Sequence, residues 1–88
     1  MSAYELRWKR EARRDLRAIG RPEVERIRRA LESRVLPDPR RGEPLRGPGR
    51  PLWRFRVGDY RVLYAFNDAE VWVLVARVPH RSSAYRGL

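Results

Sequence analysis

The stretch Pro51–Tyr64, PLWRFRVGDYRVLY, decides the fold of this 88-residue chain. Gly58-Asp59 lies between two runs in which apolar and basic residues alternate, a pattern typical of two strands joined by a tight two-residue turn. The turn predicts the strand register. It pairs Val57 with Tyr60, Arg56 with Arg61, Phe55 with Val62, Arg54 with Leu63, and Trp53 with Tyr64.

The two faces of this hairpin differ in chemistry, because side chains alternate across a strand. One face collects the apolar and aromatic residues Trp53, Phe55, Val57, Tyr60, Val62 and Tyr64. The other collects Arg54, Arg56 and Arg61. Two arginines placed directly opposite each other repel. An anion bound between them would turn this net repulsion into attraction. Guanidinium groups suit phosphate, so the pattern indicates a phosphate site; a solvated outer face is the alternative that stays open.

The composition departs most from that of ordinary globular proteins in its charge. The chain has 21 basic and 11 acidic residues, a formal net charge of +10, and all but one of the basic residues are arginine. Such a field attracts polyanions, which makes RNA or DNA the leading class of partner. Genome base composition and an acidic protein partner are alternative explanations of the same charge.

Other classes of protein are disfavoured by what the sequence lacks. It has no cysteine and one histidine, so we expect no disulfide framework, no metal site and no cofactor. No apolar run approaches the roughly 20 residues that span a bilayer, and we expect a cytoplasmic protein without membrane contact. The length predicts one small domain over residues 1–88.

The amino-terminal half predicts one strand followed by two helices. Residues 3–8 alternate as a strand does, and apolar residues then recur at helical spacing over residues 9–19 and 22–35. Residues 36–50 contain Pro37, Pro39, Pro44 and Pro48, which exclude a regular helix or a central strand. This loop is basic through Arg40, Arg41, Arg46 and Arg50, and we expect these four to contact a nucleic-acid backbone.

A last apolar strand is predicted over residues 71–78. With Asp68-Ala69 as a two-residue loop, Arg61 lies opposite Ala76, Leu63 opposite Leu74, and Ala65 opposite Trp72. Both faces of the last two strands are then partly apolar, and Leu63, Trp72 and Leu74 need cover from a helix, a tail or another chain.

Taken in order, three motifs resemble those of the RelE/ParE toxin superfamily of toxin-antitoxin modules. They are Leu45-Arg46-Gly47, the hairpin 53–64, and Val78-Pro79-His80-Arg81 with Tyr85 in the tail. The resemblance implies a small α+β domain with two amino-terminal helices packed on a mostly antiparallel four-stranded sheet. It also implies an acidic, partly disordered antitoxin as partner, in a toxin-antitoxin hetero-oligomer.

In the RelE branch, which the arginine cluster favours, the implied activity is metal-independent cleavage of mRNA on the ribosome. The 2′-hydroxyl attacks the adjacent phosphate. By position, the resemblance assigns catalytic roles to Arg54, Arg56, Arg61, Arg81 and Tyr85. Fixed cations stabilise the charge that develops on the phosphorane, and Tyr85 would stack on a base or help to move a proton.

Arg54 and Arg56 depart from the lysines of the RelE archetype, and arginine is a poor general base. His80 is a candidate for that role, and Glu43 is a second. Two other functions stay open: inhibition of DNA gyrase, as in the ParE branch, and non-catalytic binding of RNA or the ribosome.

Overall fold

The computed structural model describes residues 4–45 and 51–83. The helices are α1 (Arg10–Arg17) and α2 (Arg21–Ala30), and the strands are β1 (Glu5–Trp8), β2 (Glu43–Pro44), β3 (Trp53–Val57), β4 (Tyr60–Asn67) and β5 (Trp72–Arg77). One π-helical turn, Leu31–Val35, continues α2. Short 3₁₀ turns lie at Pro39–Arg41 and Arg81–Ser83.

The two helices begin and end where local chemistry predicts. Glu11 lies in the first turn of α1 and Arg17 in its last, which suits the helix dipole at each end. Gly20, in an extended conformation, separates α1 from α2, and Pro22 lies in the first turn of α2. The helix predicted to Ile19 ends earlier, at Arg17, and the second predicted helix changes to the wider π form after Ala30.

Over residues 4–45 and 51–83 the sheet has five strands in the order β1-β5-β4-β3-β2, and β1 runs parallel to β5. The α+β class is confirmed, but the predicted four strands are one too few. The strand that was missed is β2, which pairs with the edge of β3. A two-residue strand ending in proline gives no alternating pattern, and proline is tolerated there because β2 lies at the sheet edge.

The register predicted for the first hairpin is confirmed at all five pairs, from Val57 with Tyr60 to Trp53 with Tyr64. Gly58 has a φ of +60°, as a turn residue of this kind requires. The helices cover the apolar face of the hairpin. The core there is formed by Ala12, Ile27, Leu31, Val35, Leu36, Val57, Val62, Tyr64, Val73, Val75 and Val78.

The register predicted for the second hairpin is wrong. Ala65 pairs with Leu74 and Asn67 with Trp72, because the connection spans residues 68–71 rather than two residues. A bulge between Leu63 and Tyr64 then places Leu63 opposite Arg77. The loop ends in Val71, a β-branched residue with a φ of +58°, which no sequence pattern would predict.

The apolar surface predicted to need cover, at Leu63, Trp72 and Leu74, is smaller in the structure. Leu63 is fully buried within the chain, whereas Trp72 and Leu74 are half-buried. Arg7 from β1 covers part of Trp72, with its guanidinium carbon 5.5 Å from the ring centroid. The need for an outside partner to cover Leu63 is therefore removed. Among the described residues no helix has the length and apolar character to cross a membrane.

Candidate phosphate-binding site

The face of the β3-β4 hairpin that points away from the helices carries the predicted arginines. Arg56 is exposed and lies directly opposite the half-buried Arg61, on adjacent antiparallel strands. Within the described residues neither guanidinium forms an ion pair. Directly opposed residues on such strands have Cβ atoms about 5 Å apart, so two positive groups here can reach one anion.

The chain returns after β5 and adds Arg81 to this hairpin. The amide of Arg61 donates to the carbonyl of Pro79 at 2.9 Å, and the amide of Arg81 donates to the carbonyl of Asp59 at 2.7 Å. Arg81 is thereby diagonal to Arg61, a relationship that places Cβ atoms roughly 7 Å apart. A long contact of 3.7 Å joins Arg81 Nε to Asp59 Oδ1. Both side chains are exposed, so this ion pair contributes little stability.

Arg54 lies on the same face and already has a partner. It is paired with Glu43 of β2 in the sheet register, and its guanidinium donates to the Glu43 carboxylate. That hydrogen bond, with the nearby charges of Arg54 and Arg56, lowers the pKa of Glu43 below its ordinary value. The carboxylate is thus held in its ionised form, which would accept a proton poorly at neutral pH.

His80 lies on the opposite face of the sheet from this cluster. It forms an antiparallel bridge with Tyr60, whose side chain points toward the helices, and paired residues share a face. The two rings meet edge to face with centroids 5.3 Å apart. His80 Nδ1 lies 2.9 Å from Ser82 Oγ and accepts from the Ser82 amide. The structure therefore does not bring His80 together with Arg61 and Arg81, although it is adjacent to Arg81 in sequence.

The basic residues predicted on the loop are only partly described. Arg40 donates to Asp68 at 2.6 Å and lies 5.0 Å from the centroid of Phe66, so it ties the loop to the end of β4. Its hydrogen bond to Asp68 raises the pKa of Arg40 and lowers that of the carboxyl. Arg41 is exposed. Arg46, Arg50 and Tyr85 lie outside the described residues.

The anchor of this loop is a residue that the sequence indicated only as core. The hydroxyl of the buried Tyr64 donates to the Pro39 carbonyl at 2.5 Å and accepts from the Gly42 amide at 3.2 Å. A Cβ at Gly42 would lie 2.5 Å from the carbonyl oxygen of Arg54. The loop therefore approaches β3 so closely that only glycine fits, and this contact sets the position of Glu43.

The comparisons with known proteins agree with this architecture. A family model described as the ParE toxin of the type II toxin-antitoxin system parDE matches residues 6–85. The chain belongs to the RelE/ParE toxin superfamily. It is 38% identical over 90 residues to toxin RelG of Mycobacterium tuberculosis, covering 94% of this chain and 97% of that toxin.

Solved structures of RelE/ParE toxins have the same fold. The toxin-antitoxin complex RelBE2 of Mycobacterium tuberculosis matches with a TM-score of 0.82 and 31% identity, over 91% of this chain and 100% of the other. The isolated E. coli RelE toxin matches with a TM-score of 0.74 and 28% identity, over 89% of this chain and 84% of the other. The chain is thus a type II toxin-antitoxin toxin by family; the family model carries the ParE name, and the similar toxins carry RelG and RelE names.

Proposed function

We propose that this toxin is a metal-independent endoribonuclease that cleaves mRNA bound to the ribosome. Arg61 and Arg81 lie beside each other on the hairpin face that also holds Arg54 and Arg56, and this placement supports the proposal most directly. Similarity to toxins named RelG and RelE supports the RelE branch. A face built from fixed guanidinium groups suits a reaction in which charge develops on a phosphate.

In the proposed reaction the 2′-oxygen of a ribose attacks the adjacent phosphorus. The 2′-hydroxyl loses its proton as its oxygen bonds to phosphorus, the bond from phosphorus to the 5′-oxygen breaks, and that oxygen takes up a proton as it leaves, so that one proton is released and one is consumed. The products are a 2′,3′-cyclic phosphate and a 5′-hydroxyl. Arg61 and Arg81 stabilise the phosphorane, and Arg56 binds the phosphate beside it.

Proton transfer is assigned to no arginine, because the guanidinium group stays protonated in proteins. The position of His80 on the helix-covered face leaves it away from the proposed phosphate position. Stacking of a displaced base on Tyr85 stays a prediction, as does backbone contact by Arg40, Arg41, Arg46 and Arg50. We expect ribosomal RNA and mRNA to be the polyanions that the net charge of +10 attracts.

An antitoxin partner is part of the proposal. Two of the structural neighbours are toxins solved in complex with their antitoxins, the RelBE2 complex of Mycobacterium tuberculosis and the RelBE complex of E. coli. We propose that an acidic, partly disordered antitoxin covers the basic and half-buried apolar surface of this toxin. The charge of the chain favours an acidic segment over a neutral one.

A ParE-like inhibitor of DNA gyrase is the second candidate, because the matching family model carries that name. A primer-extension assay on programmed ribosomes, run beside naked mRNA and a gyrase supercoiling assay, separates the two. Cuts that require the ribosome are the expected result. Blocked supercoiling without mRNA cuts would overturn the proposal in favour of the ParE branch. Absence of both activities would favour a non-catalytic binding module.

A further inference from the structure

The carboxylate of Glu43 lies where an anion is expected on the arginine face. Glu43 of β2 is the register partner of Arg54 of β3, and its carboxylate accepts a hydrogen bond from the Arg54 guanidinium. It is also near enough to Arg56 for that charge to lower its pKa. A carboxylate and a phosphate oxygen use the same guanidinium donors. Glu43 therefore occupies a position that a substrate phosphate would fill.

The position of Glu43 is fixed by contacts inside the fold. The preceding residue, Gly42, donates its amide to the hydroxyl of Tyr64, which is fully buried. A Cβ at Gly42 would approach the Arg54 carbonyl oxygen to 2.5 Å and the Tyr64 hydroxyl to 2.6 Å. The Gly42 contacts on one side and the hydrogen bond from the Leu45 amide to the Leu52 carbonyl, at 2.8 Å, on the other hold the backbone around Glu43, while its side chain remains 67% exposed. The carboxylate can leave Arg54 without any change in the backbone.

We infer that Glu43 is a built-in competitor for the phosphate position on Arg54, displaced when a polyanion binds the arginine face. This inference rests on the proposed function, whose phosphate site it concerns. A single phosphate must displace the Glu43 carboxylate that is already held next to Arg54. The exchange forms one interaction with the Arg54 guanidinium and breaks another. A nucleic-acid strand contacts Arg56, Arg61 and Arg81 at the same time, so it displaces Glu43 at a net gain. Competition by Glu43 therefore favours the binding of nucleic-acid strands over the binding of isolated phosphate ions.

Binding of an uncleavable strand tests the inference apart from catalysis. The probe is a fluorescein-labelled 2′-O-methyl oligouridine, which lacks the attacking hydroxyl, and the readout is fluorescence anisotropy at low salt. Glu43→Gln should bind about two- to fivefold more tightly than the wild type, the range of an exposed ion pair. Glu32→Gln is the matched control, since it changes the net charge equally but lies on the exposed side of the π-helical turn. An equal gain in both variants, or a loss in Glu43→Gln, would overturn the inference.

A double-mutant cycle identifies the partner. In an Arg54→Ala background the gain from Glu43→Gln should fall to that of the Glu32→Gln control, because the guanidinium for which the carboxylate and the phosphate compete is gone and only general charge effects remain. A gain that persists there would contradict competition at Arg54. Failure of the proposed function would show itself differently, as absence of ribosome-dependent cuts by the wild type, whatever these affinities are. Circular dichroism melting of each variant confirms that binding is compared between folded proteins.

Discussion

Arg56 and Arg61 lie directly opposite each other on β3 and β4, with no ion pair to either guanidinium among the described residues. A cross-strand pair of like charges destabilises a sheet, so this pair costs the fold free energy. A solvated arginine face gives no reason to keep the two in register. A phosphate-binding face does, because one anion between the guanidinium groups turns repulsion into attraction.

Replacing one arginine of this pair should therefore stabilise the protein. Arg61→Gln should raise the free energy of unfolding by about 0.5 kcal/mol at low salt, and the gain should shrink as salt screens the repulsion. Urea denaturation at two salt concentrations measures the effect. Arg29→Gln, at an exposed position of α2, is the control for net charge. If Arg61→Gln lost stability relative to Arg29→Gln, the repulsive pair would be disproved.

Asp15 joins α1 to the end of β5. Its carboxylate accepts from Arg77 Nε at 2.8 Å, from Arg77 Nη2 at 3.2 Å and from the Val78 amide at 2.7 Å. Asp15→Ala should lower the free energy of unfolding by about 2 kcal/mol, because it leaves a half-buried charge and an amide unpaired. Glu11→Ala, exposed on the same helix, should change it by less than about 0.5 kcal/mol. Equal losses would show that the Asp15 contacts contribute nothing specific.

Tyr64 should make stability depend on alkaline pH. Burial raises the pKa of Tyr64 to about 12, against an ordinary value of 10.0. A folded-state pKa above the unfolded one gives a contribution that is complete below pH 10 and is lost as the pH rises toward 12. Tyr64→Phe should cost about 1–2 kcal/mol at neutral pH, since it removes the hydroxyl that bridges Pro39 and Gly42.

Unfolding free energies at a series of pH values check this prediction. The difference between wild type and Tyr64→Phe should narrow as the pH rises above 10. A difference that stays constant across this range would mean that the folded Tyr64 ionises as an ordinary tyrosine does.

Val71 carries backbone strain at the end of the second hairpin loop. Its φ of +58° is in the left-handed region, which β-branched residues avoid. Val71→Asn should stabilise the protein by about 0.5–1 kcal/mol, because asparagine tolerates this conformation and Val71 is exposed. Ala69→Asn in the same loop, where φ is not positive, is the comparison. Equal midpoints of thermal unfolding for Val71→Asn and Ala69→Asn would show that Val71 carries no backbone strain.

The sequence predicts best where local chemistry and alternation act together. Gly58-Asp59 fixes the turn, the alternation on either side fixes the faces, and the register follows without information from the rest of the chain. The helices are predicted for the same reason, since their apolar stripes recur at the helical period. The resemblance to the RelE/ParE superfamily rests on the same hairpin together with Leu45-Arg46-Gly47 before it and the tail motif after it.

What the sequence does not predict depends on contacts between distant residues. The two-residue β2 exists because Tyr64 and Gly42 hold the loop against β3, and neither residue signals this locally. The second hairpin register depends on a longer loop and a bulge, which alternation does not encode. The bridge between His80 and Tyr60, which places His80 on the helix-covered face, joins two residues that are distant in the sequence.

The single-turnover rate of mRNA cleavage on programmed ribosomes shows whether Arg61 and Arg81 form the cleavage site. The wild type is compared with Arg61→Ala, Arg81→Ala and the control Arg29→Ala, with ribosome binding measured for each. We expect a rate loss of about a hundredfold or more in the first two variants, typical of removing a group that stabilises the transition state, and little change in the control. Equal rates in all four proteins would contradict the assignment of this face as the site of cleavage.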